Sequence, residues 1–163
     1  MVTIDTILLD DLDRRILAQL QEDASLNNQE LAEVVHASPP TCLRRVRRLV
    51  ESGIVEKQVA ILDPARLGST LTAIVEVTLD VQAAEKLAEF EALVQDEPAI
   101  LQCHRVSPGP DFVLIAQVRD MPAYHALVHR AFTAQANVRN VRTFFSVHRS
   151  KFETRIALPP QEL

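Results

Sequence analysis

Apolar residues recur at helical spacing in three consecutive short stretches at the start of the chain. The first stretch follows Asp10, and Asp13 adds a negative charge in the first turn, at the positive end of the helix dipole. Its predicted inward positions are Leu12, Ile16, Leu17 and Leu20. This spacing predicts a short amphipathic helix that needs a partner for its apolar side.

The second and third stretches each begin with a capping signal. Asn27 and Glu30 have the spacing of a capping box. The inward residues of that second helix are predicted to be Leu31, Val34 and Val35. Ser38 can cap a third helix over residues 39–52, with two prolines in its first turn. The short link at residues 36–37 predicts a helix-turn-helix, whose second helix would lie in the major groove of DNA.

A helical wheel of residues 39–52 separates an apolar side from a basic side. The predicted inward residues are Cys42, Leu43, Val46, Leu49 and Val50. Thr41, Arg44 and Arg48 point directly away from them, and Pro40, Arg45 and Arg47 lie on the flanks. The third helix therefore has one side for packing and one side for a partner.

This wheel divides the outward residues into two groups. A recognition helix contacts base edges with its N-terminal half and phosphates along its sides. The predicted base-contacting residues are Pro40, Thr41 and Arg44, the predicted phosphate-contacting residues are mainly Arg45, Arg47 and Arg48, and Ser38 completes the DNA-binding set. The alternative is that the arginines form only a solvated helix face.

The pattern changes from helical to extended after Gly53. Residues 54–63 alternate, with Val55, Val59 and Ile61 on one face, which predicts a short wing or linker strand. A turn signal follows at residues 64–68. We therefore predict a winged helix-turn-helix domain at residues 1–63 and a second domain at residues 64–163.

The second domain alternates between strand and helix periods. Strands are predicted at residues 71–79, 100–106, 112–118 and 138–148, and helices at residues 83–95 and 121–134. A strong turn signal at residues 107–111 joins the two central strands of this sequence. The order β-α-β-β-α-β predicts a ferredoxin-like domain, so the whole chain belongs to the α+β class.

Both faces of the predicted sheet carry apolar residues. Two helices can cover only one face, which leaves Ile74, Val113, Ile115 and Phe144 on the other. Packing of this face against a second copy of the chain would give a two-fold homo-oligomer. The alternative is that the wing or the C-terminal tail covers the face within one chain.

The charge of the whole chain gives a misleading picture of its partners. The 163 residues have a formal net charge of −5, which by itself argues against nucleic acid. Four of the seven basic residues in the first 65 positions nevertheless lie between Arg44 and Arg48. Because the local field decides a phosphate contact, a basic spot on an acidic body can still attract DNA.

The composition, 47% apolar and 24% charged, is that of a soluble globular protein. No apolar run approaches the roughly 20 residues that cross a bilayer, and the N-terminus lacks a secretory signal pattern. Cys42 and Cys103 match no disulfide or zinc framework. We therefore expect a cytoplasmic protein with no membrane partner.

The chain offers few residues for a metal or cofactor. His125 and His129 have i, i+4 spacing, but no third ligand accompanies them at a fitting spacing, and a closed zinc site needs four ligands. A solvated helix flank is the favoured interpretation of the pair. Three glycines leave no phosphate-binding or dinucleotide fingerprint. We therefore predict no metal and no cofactor.

Three motifs follow one another in the first domain. They read Leu9-Asp10-x-x-Asp13-x-x-Ile16-Leu17, Asn28-x-Glu30-Leu31-Ala32, and Ser38-Pro39-x-x-x-Leu43-Arg44-Arg45-Val46-x-Arg48-Leu49. This ordered set resembles the Lrp/AsnC family of bacterial and archaeal transcription factors, and the resemblance covers nearly the whole chain. It implies a C-terminal domain that binds small effectors, often amino acids, and dimers that assemble into tetramers, octamers or larger rings on DNA.

The resemblance also implies an effector site between dimers, near the turn that joins the two central strands. Asp111 and Phe112 match the family pattern Gly-x-x-Asp-aromatic, but Pro108 stands at the expected glycine, and Phe144 replaces a small hydroxyl residue. The implied effector-binding residues are Ser107, Pro108, Gly109, Asp111 and Phe144. Because both departures reduce backbone freedom or space, we expect an altered effector choice or a weakened response to a polar amino acid.

Two other functions fit the same two-domain plan. Some tetrapyrrole (sirohaem) decarboxylases are similar to it, with His104, Arg105 and His148 as candidate residues here. The arginine-rich helix argues against this enzyme, because a decarboxylase has no need to bind phosphate there. The second alternative is an effector-binding module whose DNA contact is vestigial. We expect a sequence-specific transcriptional regulator and not an enzyme.

Overall fold

The chain divides into two compact units. The structure is a computed structural model, which describes residues 8–68, 71–135 and 137–158. The described residues up to Ile61 and those from Lys151 onward form the first unit, and Leu62–Ser150 forms the second. The predicted boundary after residue 63 lies close to this division, but the prediction placed the closing residues in the second domain.

Three helices form the first unit: α1 (Asp11–Glu22), α2 (Asn28–Val34) and α3 (Pro39–Glu51). The predicted capping box of Asn27 and Glu30 is confirmed. A second capping box, which the sequence analysis missed, joins Asp10 and Asp13 at the start of α1. Each box satisfies backbone N–H groups that a helix leaves unpaired at its N-terminus.

The core of the first unit is narrower than the wheels predict. Among the described residues, seven apolar side chains form its buried cluster: Ile16, Leu17, Leu31, Ala32, Val35, Cys42 and Leu49. The predicted inward positions Val34, Leu43 and Val50 are wrong, because these side chains are 50%, 40% and 48% exposed. Three short helices enclose only a thin line of contact, so residues at the edge of each apolar arc stay in water.

The segment after α3 forms no β-strand between residues 54 and 63, all of which are described, so the strand predicted there is wrong. Most of its side chains are exposed, including Val59 and Ile61. Because no neighbouring strand accepts its backbone hydrogen bonds, alternation alone does not produce a ladder here. A 3₁₀ turn at Pro64–Leu67 follows it.

The closing segment belongs with the first unit. The side chain of Gln21 donates to the backbone oxygen of Ile156 at 3.2 Å and accepts from its N–H at 2.8 Å. Arg155 pairs with Glu22 at 2.9 Å. These contacts hold the closing segment against the end of α1.

The second unit contains a four-stranded antiparallel sheet. Its strands are β1 (Leu71–Leu79), β2 (Ile100–Arg105), β3 (Phe112–Val118) and β4 (Val138–Phe145), in the spatial order β2-β3-β1-β4. Helix α4 (Ala84–Gln95) connects β1 to β2, and α5 (Met121–Val128), extended by a π-helical turn at His129–Thr133, connects β3 to β4. The predicted ferredoxin-like fold and α+β class are confirmed.

Only one face of this sheet is closed. The alternate residues Ala73, Val75, Val77 and Leu79 of β1 are buried with Phe112, Leu114, Ala116 and Val118 of β3. Phe90 of α4 and Phe132 complete this core, with Phe90 4.7 Å from the ring of Phe112. The other, open face contains Ile74, Val113, Ile115 and Phe144, as predicted.

In the part of the chain that the structure describes, no helix combines the length and the apolar character that a bilayer-crossing segment requires.

Candidate functional site

Helices α2 and α3 form the helix-turn-helix of the first unit. The residues between them run from Val35 to Ser38, and His36 adopts a left-handed backbone with φ of 53°. The N–H of Ala37 donates to the backbone oxygen of Ala32 at 2.9 Å. This tight turn fixes α3 across the end of α2, with Cys42 and Leu49 inside. Burial raises the pKa of the Cys42 thiol, which keeps it neutral.

The N-terminal half of α3 presents polar side chains to solvent. Pro40 and Arg44 are exposed and Thr41 is half-buried. Ser38 occupies the N-cap position but makes no capping hydrogen bond, so its predicted cap role is wrong; its hydroxyl donates to that of Thr41 at 2.9 Å. Pro40 removes one of the two backbone donors that such a cap would serve. The two hydroxyls form a small polar surface beside Arg44.

The four arginines of α3 divide into two pairs. Arg44 and Arg47 are exposed, and among the described residues neither has an ion-pair partner. Arg45 instead lies 2.6 Å from Asp10 and 3.3 Å from Asp13, and Arg48 pairs closely with Asp13. The prediction that Arg48 points directly away from the helical body is therefore wrong. A wheel gives the direction of Cβ, whereas a long side chain can turn back toward a buried carboxylate.

Asp13 is the functional neighbour that sequence reasoning missed. Its carboxylate is fully buried, and it accepts hydrogen bonds from Arg45, Arg48 and the N–H of Asp10. The pKa of Asp10 lies below its ordinary value, chiefly because the N–H of Asp13 donates to it and also because of Arg45. The spacing Asp10-x-x-Asp13 was the available signal, since it is the spacing of a capping box.

The predicted effector turn lies between β2 and β3. Ser107, Pro108 and Gly109 are exposed, the Ser107–Pro108 peptide bond is cis, and Gly109 has φ of 126°. The carboxylate of Asp111 accepts from the N–H of Leu79 at 2.7 Å, and its own N–H donates to Val77. Asp111 therefore ties the turn to β1, and its carboxylate already has a partner.

Phe144 lies apart from this turn. It is aligned with Ile74 on β1, whereas the turn ends beside Val77, three residues or about 10 Å further along that strand. Two strand spacings also separate β4 from β3. The guanidinium of Arg142 lies 4.6 Å from the centre of the Phe144 ring. One copy of the chain therefore does not bring the five predicted effector-binding residues into one pocket.

Two cavities of the second unit have other linings. A cavity of about 460 Å³ lies between α4 and β2, next to Glu91, Gln102 and Cys103, and one of about 200 Å³ lies next to Lys86 and Asn137. None of the five predicted effector-binding residues lines either cavity. The geometry of a single copy therefore provides a turn and an open sheet face rather than a closed effector pocket.

The residues of the enzyme alternative do not converge within one copy. His104 lies on β2 and contacts Gln102 at 3.3 Å, while Arg105 pairs with Glu91 at 2.8 Å. His148 follows β4, at the opposite edge of the sheet from β2. Among the described residues, no group of three His, Cys, Asp or Glu side chains lies close enough together to hold a metal ion.

Two family models match the chain. The model described as winged helix-turn-helix DNA-binding matches residues 9–56, and the model described as the Lrp/AsnC ligand binding domain matches residues 72–156. The first match contains all three helices of the first unit, and the second contains the whole sheet from Thr72 onward.

Individual proteins give the same result. The Leucine-responsive regulatory protein of Salmonella typhimurium is 37% identical over 150 residues, which are 92% of this chain and 92% of that protein. An AsnC family transcriptional regulator from Agrobacterium tumefaciens has a TM-score of 0.86 at 32% identity, covering 91% of this chain and 97% of that one. A Neisseria meningitidis transcriptional regulator, solved as a complex with L-Met, has a TM-score of 0.85 at 32% identity, covering 91% and 96%.

Proposed function

Because this chain belongs to the Lrp/AsnC family of transcriptional regulators, we propose that it binds specific DNA sequences through α3 and responds to a small effector through its second unit. The observation that carries the proposal is the exposed side of α3, where Thr41, Arg44 and Arg47 stand on a helix-turn-helix. The proposal includes a location in the cytoplasm, where its partner, DNA, is found in bacteria.

The exposed side of α3 supports a division of labour among its residues. Ser38, Pro40, Thr41 and Arg44 lie at the N-terminal half, where a recognition helix approaches base edges. The planar guanidinium of Arg44 can donate two hydrogen bonds to one guanine. Arg47, one turn further along, is the phosphate contact. Arg45 and Arg48 are not proposed as phosphate contacts, although the sequence predicted them, because acidic side chains at the start of α1 already bind them.

Substitution of Arg44 and Arg47 tests this assignment. Arg44→Ala should cost about 1–3 kcal/mol at the preferred site and little on unrelated DNA, because a base contact is lost. Arg47→Ala should weaken binding to all sequences and lower the salt slope by about one charge. Gel-shift titration measures both effects, with the DNA upstream of the protein's own gene as one duplex and unrelated DNA as the other. Equal behaviour of the two variants would contradict the division of labour.

The open sheet face supports assembly of at least a dimer through the second unit. Ile74 and Phe144 are aligned across β1 and β4, and 37% and 41% of their surfaces are exposed. Burial of these side chains against a second copy removes apolar surface from water. A two-fold pair would also present two copies of α3 to successive turns of DNA, and further association into tetramers or octamers is part of the proposal.

The effector of this proposal is an amino acid, with the turn Ser107–Asp111 as one side of its site. The similar Neisseria meningitidis regulator was solved with L-Met, and that protein is 32% identical to this chain. Since Asp111 and Phe144 lie apart in one copy, further copies would complete the site. Calorimetry with the twenty amino acids tests this proposal. Binding of an apolar amino acid is expected, and tight binding of serine or asparagine would contradict the effect assigned to Pro108 and Phe144.

Regulation rather than catalysis is the function that the residues support. The relatives of the chain are transcriptional regulators. The candidate residues His104 and His148 belong to opposite edges of the sheet, which argues against a tetrapyrrole decarboxylase site within one copy. A decarboxylation assay with a tetrapyrrole, read by absorbance, should give no turnover, and measurable turnover would favour the enzyme.

A further inference from the structure

Four charged side chains meet where the start of α1 contacts α3. Asp10 lies 2.6 Å from Arg45, and Asp13 contacts both Arg45 and Arg48. We call these four residues, Asp10, Asp13, Arg45 and Arg48, the α1–α3 charge cluster. Two carboxylates and two guanidinium groups give the cluster a formal charge of zero.

The centre of the α1–α3 charge cluster is shielded from water. Asp13 is fully buried, while the side chain of Arg45 is 24% exposed and that of Arg48 is 43% exposed. A buried carboxylate without cationic partners would be costly, so Asp13 holds both arginines against it. A phosphate that approached either arginine would also meet the negative charge behind it.

The same helix carries two arginines outside this cluster. Arg44 and Arg47 are exposed, and no carboxylate in the described part of the chain pairs with them. The positive charge that α3 offers to DNA is therefore closer to two than to the four that the sequence suggests. Non-specific binding depends almost entirely on neutralised phosphates, so it should depend on this smaller number.

We propose that Asp10 and Asp13 limit non-specific binding by withholding Arg45 and Arg48 from the phosphates. The cluster lowers the affinity for DNA in general, while the base contacts of the exposed side keep their contribution. Base contacts therefore supply a larger share of the binding free energy at a specific site. This inference rests on the proposed function, because it concerns how α3 contacts DNA.

The first test compares Asp10→Asn with Asp11→Asn. Asparagine caps helices as well as aspartate does, and Asp10 is half exposed, so the start of α1 is retained. The control removes the same charge from the same helix, but Asp11 pairs with Arg15 of α1 at 2.8 Å and not with α3. Each protein is titrated with an unrelated DNA duplex over a range of salt concentrations, after circular dichroism has confirmed its fold.

Asp10→Asn should bind the unrelated duplex several-fold more tightly than wild type, because Arg45 gains charge that is no longer neutralised. Its salt slope should steepen by about 0.9 for each subunit in contact with DNA. Asp11→Asn should remain at the wild-type values. Equal effects of the two variants, or an unchanged slope for Asp10→Asn, would overturn the inference.

The second test removes the arginines themselves. Arg45→Gln should leave the salt slope on unrelated DNA nearly unchanged, whereas Arg47→Gln should lower it by about one charge. A loss for Arg45→Gln as large as that for Arg47→Gln would show that Arg45 contacts phosphate, against the inference. Failure of wild type to bind any duplex would instead contradict the proposed function, so the two failures are distinguishable.

Discussion

In the first unit a charge lies at the centre and apolar side chains remain at the rim, whereas the sheet unit has an aliphatic and aromatic core and an open face that mixes apolar and polar side chains. Among the described residues, Asp13 is the one buried charged side chain, and it belongs to the three-helix unit. The sheet unit instead leaves Ile74 and Phe144 partly in water. The surface that is left without a partner in one copy of the chain is therefore different in the two units.

This difference indicates two kinds of partner. Arg44 and Arg47 suit a polyanion, because their charge has no internal partner among the described residues. The apolar residues of the open sheet face suit a second copy of the same face, because burial removes their side chains from water. The proposed function therefore divides recognition and assembly between the two units, and each of the following changes tests one side of that division.

Removal of the buried charge should have the largest effect. Asp13→Ala should lower the free energy of unfolding of the first unit by about 3 kcal/mol, because Arg48 loses its carboxylate, Arg45 keeps only Asp10, and α1 loses its capping box. Urea denaturation followed by circular dichroism measures the change. Asp11→Ala, on the exposed side of α1, is the control and should lose less than about 0.5 kcal/mol. Equal losses of stability for Asp13→Ala and Asp11→Ala would contradict the stabilising role of the buried Asp13 carboxylate.

A charge on the open sheet face should have the next largest effect. Phe144→Asp should weaken self-association by at least about 2 kcal/mol, because an unpaired carboxylate would have to enter the interface. Light scattering should then give a lower mass at the same protein concentration. Val147→Asp introduces the same charge at a fully exposed position beyond β4, and its mass should equal that of wild type. An unchanged mass for Phe144→Asp would contradict assembly through this face.

The sequence predicts the sheet unit better than the charges of the helical unit. The predicted bounds of β1 and β3 agree with the structure, since period-two alternation between Leu71 and Leu79 has no competing interpretation. The sequence alone does not predict the ion-pair partners of Arg45 and Arg48, because these pairs depend on how α1 packs against α3. The alternating pattern at residues 54–63 also led to a wrong strand prediction, because a strand needs a neighbouring strand to accept its backbone hydrogen bonds.

The candidate site shows the same limit. Charge clustering located the basic side of α3, and the turn at residues 107–111 was read from its prolines and glycine. The sequence does not reveal that Asp111 binds the N–H of Leu79, or that Phe144 is aligned with Ile74. Both facts depend on strand register, which pairs residues more than thirty positions apart.

A smaller effect concerns a paired carboxylate at the edge of the sheet unit. Arg130 holds the pKa of Glu97 below its ordinary value of 4.5 through a two-point contact at 2.6 and 2.8 Å. A lowered pKa stabilises the folded state above the ordinary value, and this stability is lost as pH falls through the folded pKa. The pair contributes only about 1 kcal/mol to the free energy of unfolding, because Arg130 is half exposed and water screens the contact.

Thermal unfolding at pH 7 and at several values below pH 4.5 measures this contribution to stability. Glu97→Gln should be less stable than wild type at pH 7, and the difference should shrink as pH falls. Glu89→Gln, which breaks an exposed pair with Lys86, should show almost no difference at either pH. A difference for Glu97→Gln that is constant with pH would contradict the role of the Arg130 contact.

The central claim is that a symmetric pair of α3 helices reads DNA, and genomic footprinting of the purified protein tests it most directly. The account predicts discrete protected sites, with half-sites one helical turn of about 10 base pairs or a multiple of it apart. Their occupancy should change when pooled amino acids are added. Even coverage without preferred sites, or no protection at low salt, would contradict the account.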